Sequence, residues 1–170
     1  MKLIHLSLFS AVLFSACGTS TTDVVATQAT TDSNPLDGFW STDALGDAVE
    51  VGSLREMKSG TEVVVRGDVM NHTVVEGKAA LMLYDHALDS CDEMGEDDHC
   101  PTPWDFCCVD QNDQTLGSVL VEFHADGKLA DGSFDGFHGI EYLSDVVVSG
   151  TLELDESGNA RLIAKRLRVE

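Results

Sequence analysis

The sequence contains few basic residues. Its 170 residues include 10 Lys and Arg against 30 Asp and Glu, which gives a net charge of −20 at pH 7. Proteins that bind nucleic acid draw much of their affinity from Lys and Arg side chains that neutralise phosphates. The composition therefore disfavours nucleic acid as a partner. It favours a cationic ligand, such as a cationic protein, a peptide or a metal ion.

Common catalytic motifs are also missing. The sequence has no GxSxG, no phosphate-binding GxxxxGK[ST] and no HExxH. The segment that starts at Asp110 opens with the acid spacing of a calcium loop. However, Thr115 and Val121 stand where that loop needs Gly and Glu. We expect a protein that is not an enzyme, and we assign no catalytic residue.

No apolar run is long enough to cross a bilayer, which takes about 20 residues. The N-terminal run at residues 3–14 is shorter, follows the basic Lys2 and precedes the small residues Ser15 and Ala16. This arrangement is typical of an export signal. An ordinary secretory signal, cleaved near Ala16 or later, is one interpretation.

The residues around Cys17 favour a more specific interpretation. Leu13-Phe14-Ser15-Ala16-Cys17 resembles a bacterial lipobox, although Leu is usual where Phe14 stands. The resemblance implies that residues 1–16 are removed and that Cys17 carries acyl chains, which anchor the protein to a membrane. Gly18 after the cysteine implies the outer membrane, facing the periplasm or the exterior. We therefore expect a lipid-anchored protein of the bacterial cell envelope.

The mature chain divides into a tether and a domain. Residues 17–37 are rich in Thr and Ser and have no apolar periodicity, as in a flexible linker. Residues 38–170 suit one small domain. Removal of residues 1–16 takes away one basic and no acidic residue, so 9 basic residues face 30 acidic ones and the net charge becomes −21.

Five stretches of alternating apolar and polar residues predict β-strands. They are residues 61–70, 78–84, 117–124, 145–154 and 160–169. Gly67 falls on the apolar side of the first strand, which predicts a bend or a close approach there. In the last strand the apolar side changes after Ala164, which predicts a bulge near Lys165 and Arg166.

Five short strands, with a short helix or turn at 137–144 after the third, resemble the OB-fold. We expect a mainly β, OB-fold-like barrel, with a small open β-sandwich as the alternative. The segment DHCPTPWDFCC at 98–108, followed by DVVVSGTL at 145–152, also resembles a family of small exported bacterial OB-fold proteins. That resemblance covers residues 50–170 and implies a fold and a compartment, not an activity.

A long acidic insertion separates the second and third strands. Residues 85–113 hold ten acidic residues and no Lys or Arg, together with four cysteines: Cys91, Cys100, Cys107 and Cys108. If Cys17 is acylated, an even number remains for disulfides. A bond between the neighbours Cys107 and Cys108 is strained. This leaves Cys91–Cys107 with Cys100–Cys108, or Cys91–Cys108 with Cys100–Cys107, and each bond would stabilise the insertion by about 2–3 kcal/mol.

The alternative use of these cysteines is a metal site. Thiolates with imidazole suit zinc or copper(I), so His86 and His99 join the four cysteines as candidate ligands. The spacing lacks the CxxC pairs of familiar zinc sites. A candidate binding surface consists of Trp104 with Asp97, Asp98 and Asp105, although Trp104 can instead pack the insertion onto the barrel.

Overall fold

In the part of the chain that the structure describes, seven strands and one α-helix follow one another. The computed structural model describes residues 34–71, 74–93, 101–102 and 104–170, and residues Ser33–Glu170 belong to one unit. Cys17 and most of the linker lie outside the described residues. The elements are β1 (Val49–Glu50), β2 (Glu62–Asn71), β3 (Ala80–Tyr84), α1 (Gln111–Leu116), β4 (Ser118–Ala125), β5 (Lys128–Leu129), β6 (Asp145–Leu154) and β7 (Ala160–Val169).

Five of the strands close into a barrel. Their order is β2-β3-β4-β7-β6, and β6 pairs with β2 to complete the ring. Within the ring β4 and β7 are parallel and the other pairs are antiparallel. A closed five-stranded barrel with this order is an OB-fold, so the predicted fold is confirmed and the ring is not an open sandwich.

The five predicted strands are the barrel strands, with ends that differ by two residues or fewer. Alternation carries their apolar side chains inward: Val65 and Val69 of β2, like Val119 and Val121 of β4, have no exposed surface. The sequence did not predict the two-residue strands β1 and β5, the helix α1 or the 3-10 helix Val51–Glu56. The short helix expected at 137–144 is a 3-10 helix, Phe137–Gly139.

Two local irregularities that the sequence predicted are confirmed. Ser149 of β6 pairs with Arg166, and the next residue, Gly150, pairs with Ala164. Lys165 is therefore the extra residue of a bulge, which returns Leu167 to the core. Gly67 is a site of close approach, because a Cβ atom there would lie 2.4 Å from the carbonyl oxygen of Tyr84.

The insertion leaves the barrel after β3 and returns to it through α1. Within the described ranges no helix is both long enough and apolar enough to span a bilayer.

Candidate functional site

One aromatic residue fixes the insertion against the barrel. Phe106 is 1% exposed, and its ring stacks on Tyr84 of β3 with the centroids 4.4 Å apart. The backbone N–H of Cys91 donates a hydrogen bond to the carbonyl of Asp105 at 2.8 Å. These contacts bring the two ends of the insertion together and place Cys91 beside the residues that follow Phe106.

Three thiols meet at this point, and we call Cys91, Cys107 and Cys108 the thiol cluster. The Sγ atom of Cys91 lies 3.4 Å from that of Cys107 and 3.8 Å from that of Cys108, and the last two are 3.9 Å apart. A disulfide bond is about 2.05 Å long, so none of these three distances corresponds to one. Cys91 is buried, whereas Cys107 and Cys108 are exposed.

The spacing of the thiol cluster agrees with that of metal ligands. Zinc–thiolate bonds are about 2.3 Å long, so two sulfurs of a tetrahedral site stand roughly 3.8 Å apart. The three observed distances, 3.4, 3.8 and 3.9 Å, lie close to that value. Two of the three cysteines, Cys107 and Cys108, are exposed. The described thiols therefore form a group that could hold a metal ion.

Besides Cys17, the predicted site residues outside the described ranges are Asp97, Asp98, His99 and Cys100. Each disulfide pairing joins Cys91 to Cys107 or Cys108, whose sulfurs are not at bonding distance, and joins Cys100 to the other cysteine. The disulfides remain predictions, as do the ligand roles of Cys100 and His99. His86 belongs to a different group of side chains, not to the thiol cluster.

His86 forms part of a second group, which we call the His–carboxylate cluster: Glu50, Asp68, His86 and Asp145. Nδ1 of His86 lies 2.8 Å from Oε2 of Glu50. Nε2 lies 3.4 Å from Oδ1 of Asp68 and 3.3 Å from Oδ1 of Asp145. The cluster stands on the outer face of the barrel, where Asp68 of β2 pairs with Asp145 of β6.

Burial and neighbouring charges shift the pKa values of three side chains in the His–carboxylate cluster. Burial raises the pKa of Asp68. The hydrogen bond from Arg66 lowers the pKa of Asp145. Burial acts to lower the pKa of His86, but the hydrogen bond with Glu50 and the charges of Asp68 and Asp145 outweigh it, and the pKa is raised. The cluster thus holds three carboxylates and one imidazole, and each of these side chains lies close enough to affect the charge of its neighbours.

The described residues of the predicted binding surface make contacts within the domain. The ring of Trp104 stacks on Tyr142 with centroids 5.1 Å apart, which connects the insertion to the segment before β6. The carboxylate of Asp105 accepts a hydrogen bond from the backbone N–H of Phe106 at 2.7 Å. The Trp104 ring therefore helps to hold the insertion in place, whereas the Asp105 bond is local.

Sequence reasoning missed Glu50, Asp68, Asp145 and Phe106 as parts of these sites. The two aspartates occupy outward positions on distant strands, and only the pairing of β2 with β6 brings them together. The predicted OB-fold implies that these strands are neighbours, but not the register that sets Asp68 opposite Asp145. Phe106 did carry a signal, since it is one of few large apolar residues within an acidic segment.

The basic strand β7 does not offer a bare cationic surface. Arg161 contacts Glu153 at 2.5 Å and Glu122 at 3.5 Å. Lys165 contacts Glu62 at 2.5 Å. Arg168 pairs with Glu170, and Arg166 donates to the carbonyl of Gly38. The basic groups of β7 are therefore each paired within the domain.

The fold and the two clusters define an OB-fold protein with two groups of side chains that could hold a metal ion. No family model matches the chain, and no curated protein matches it. Solved structures do resemble it. The hypothetical protein ygiW from E. coli has a TM-score of 0.40 and 13% identity, over 74% of this chain and 91% of that one.

Two aminoacyl-tRNA synthetases also resemble the chain in part. A putative aspartyl-tRNA synthetase from Leishmania major Friedlin has a TM-score of 0.44 and 17% identity over 76% of this chain. Asparaginyl-tRNA synthetase from Pyrococcus horikoshii has a TM-score of 0.41 and 18% identity over 72%. The match spans 22% and 23% of the two synthetase chains. At these scores the likeness is distant, and the fold assignment stands on the strand order of the barrel.

Proposed function

We propose that this chain is a lipid-anchored, non-catalytic binding module of the bacterial cell envelope. The lipobox-like sequence at Cys17 supports the anchor, and the Thr- and Ser-rich linker supports a domain held away from the membrane surface. The closed barrel supports a binding role, because OB-folds bind their ligands on one face of a rigid barrel and with variable loops. The outer membrane is the expected location.

The ligand that the geometry supports best is a soft metal ion, zinc or copper(I), held by the thiol cluster. The observation that carries this proposal is the set of three Sγ–Sγ distances between 3.4 and 3.9 Å. Thiolates select these ions over calcium and magnesium, which prefer oxygen ligands. Cys100 and His99 are the nearest sequence candidates for a further ligand.

Contacts with the barrel and within the insertion hold the three cysteines in place. Cys91 is 2% exposed, and its backbone is bonded to that of Asp105. Phe106, which precedes the two exposed cysteines, is locked against Tyr84. Because the backbone on both sides of the cluster is fixed by packing, an ion would bind thiols that are already gathered.

A cationic protein or peptide is the weaker alternative for the ligand. The net charge of −20 favours such a partner. However, the ring of Trp104, a side chain expected to bind it, stacks on Tyr142 of another segment of the domain.

Metal titration of the full chain, purified without oxidant, tests the proposed ligand. We expect one zinc or copper(I) ion per chain, and we expect Cys107→Ser to weaken its binding by roughly tenfold or more, because one thiolate ligand is lost. Isothermal titration calorimetry with zinc measures the affinity, and elemental analysis measures the retained metal.

Cys17→Ser is the matched control, because it removes a cysteine that the cluster does not contain. It should leave the zinc affinity unchanged. Equal affinities for wild type and Cys107→Ser, or a chain that holds two disulfides and no metal, would contradict the proposed ligand.

A further inference from the structure

We propose that the His–carboxylate cluster is a second metal site, which binds a divalent transition-metal ion through His86, Asp68 and Asp145. This site uses nitrogen and oxygen ligands and stands on the barrel, whereas the thiol cluster belongs to the insertion. It neither requires nor excludes metal binding by the thiols.

The ligand atoms have the spacing of a metal site. Bonds from zinc to His nitrogen and carboxylate oxygen are about 2.0–2.2 Å long, so neighbouring ligands of a tetrahedral site stand roughly 3.4 Å apart. Nε2 of His86 lies 3.4 Å from Oδ1 of Asp68 and 3.3 Å from Oδ1 of Asp145. Most N–H···O hydrogen bonds are shorter than this, at about 2.7–3.2 Å.

Nδ1 of His86 makes a shorter contact than Nε2 does. Nδ1 lies 2.8 Å from Glu50, which is an ordinary hydrogen-bond distance. With the proton on Nδ1 donated to Glu50, the lone pair of Nε2 faces the two aspartates. A carboxylate that orients a histidine in this way is the usual outer partner of a metal-binding imidazole.

Asp145 is oriented as well. Nε of Arg66 lies 3.0 Å from Oδ1 and 3.1 Å from Oδ2 of Asp145, and a second nitrogen of the guanidinium also contacts Oδ2. A bidentate pair fixes the plane of the carboxylate. Oδ1 keeps a further lone pair for the ion, since a carboxylate oxygen accepts in more than one direction.

The charge of the cluster suits a dication. Three carboxylates (Glu50, Asp68 and Asp145) face one permanent cation, Arg66, so with a neutral imidazole two negative charges remain. The three ligand side chains are 24–30% exposed, which shelters the ion from bulk water while leaving it a path of entry. Imidazole with carboxylates suits zinc and its first-row neighbours rather than copper(I).

Cobalt(II) is the probe that separates the two sites. Cobalt bound by thiolate gives a strong sulfur-to-metal charge-transfer absorption, whereas cobalt bound only by nitrogen and oxygen does not. With the thiols alkylated, so that the thiol cluster takes no metal, we expect the full chain to bind one cobalt ion that shows the visible ligand-field bands without the sulfur band. His86→Ala and Asp68→Asn should each weaken this ion's binding by roughly tenfold or more, and Glu50→Ala by about 10–100-fold.

His124→Ala is the matched control. Nε2 of His124 lies 2.9 Å from Glu122, so this histidine also pairs with a carboxylate on a strand, but it belongs to no metal-ligating group in the described part of the chain. It should leave the spectrum and the affinity unchanged. If His86→Ala lowers the melting temperature and leaves cobalt binding as in the wild type, the cluster is a structural ion pair only and the proposal is overturned. Failure of the thiol-alkylated wild type to bind a cobalt ion would overturn it too.

Discussion

At the scale of single residues, Gly67 lies on the inward side of β2, where a side chain would collide with the backbone of β3. The alternation pattern of the sequence predicted this role, because a glycine on the apolar side of a strand marks a bend or the close approach of another backbone. His86 shows the opposite case. Its nearness to Cys91 in sequence suggested a shared site, but the chain turns after β3 and places its ring against β1, β2 and β6.

Gly67→Ala should destabilise the barrel by about 1–3 kcal/mol, the usual cost of an added group in a packed position. The new Cβ would lie 2.4 Å from the carbonyl oxygen of Tyr84 and 2.9 Å from a methyl group of Val51. Urea denaturation measures the free energy of unfolding.

Gly38→Ala serves as its control, because a Cβ atom there has no neighbour within 4 Å. Its effect should stay within about 0.5 kcal/mol. The account of β2 packing fails if the two variants unfold at the same urea concentration.

At the scale of elements, regular patterns were predictable and short or irregular segments were not. The five barrel strands and the bulge at Lys165 follow from local alternation. Strands β1 and β5 contain two residues each, so they carry no periodicity to detect. Helix α1 is six residues long and has no buried residue, so no apolar stripe marked it.

The insertion depends on tertiary packing rather than on local pattern. Phe106→Ala should release it, since burial of a Phe side chain is worth about 3–5 kcal/mol. Limited proteolysis, with fragments identified by mass spectrometry, should show faster cleavage between residues 85 and 117, while the barrel strands stay protected. Urea denaturation should give a lower free energy of unfolding.

Leu116→Ala is the control for this variant, because Leu116 is 47% exposed. It should be cleaved like the wild type. A Phe106→Ala protein with the wild-type cleavage pattern would show that other contacts hold the insertion.

At the scale of the whole molecule, the fold could be predicted and the sites only in part. Five alternating strands with one irregular connection have few arrangements, and the closed barrel is one of them. The cysteines and acids of the insertion marked the thiol cluster as a candidate. The His–carboxylate cluster could not be predicted, because Glu50 lies on a two-residue strand without periodicity and the sequence does not show the register that sets Asp68 opposite Asp145.

The charge of the molecule is also organised at this scale. Acidic residues dominate the composition, and the basic side chains of β7 are taken up by contacts with acids and a backbone carbonyl. A cationic ligand therefore meets little repulsion from the described surface. This agrees with the proposal that the module binds metal ions rather than polyanions.

Native mass spectrometry of the full-length gene product, extracted from bacterial membranes without reducing or oxidising agents, tests the central claim most directly. The account predicts a chain that begins at an acylated Cys17, retains a soft metal ion and keeps Cys91, Cys107 and Cys108 as thiols. A chain with an unmodified Cys17, or one with two disulfides and no retained metal, would contradict the account.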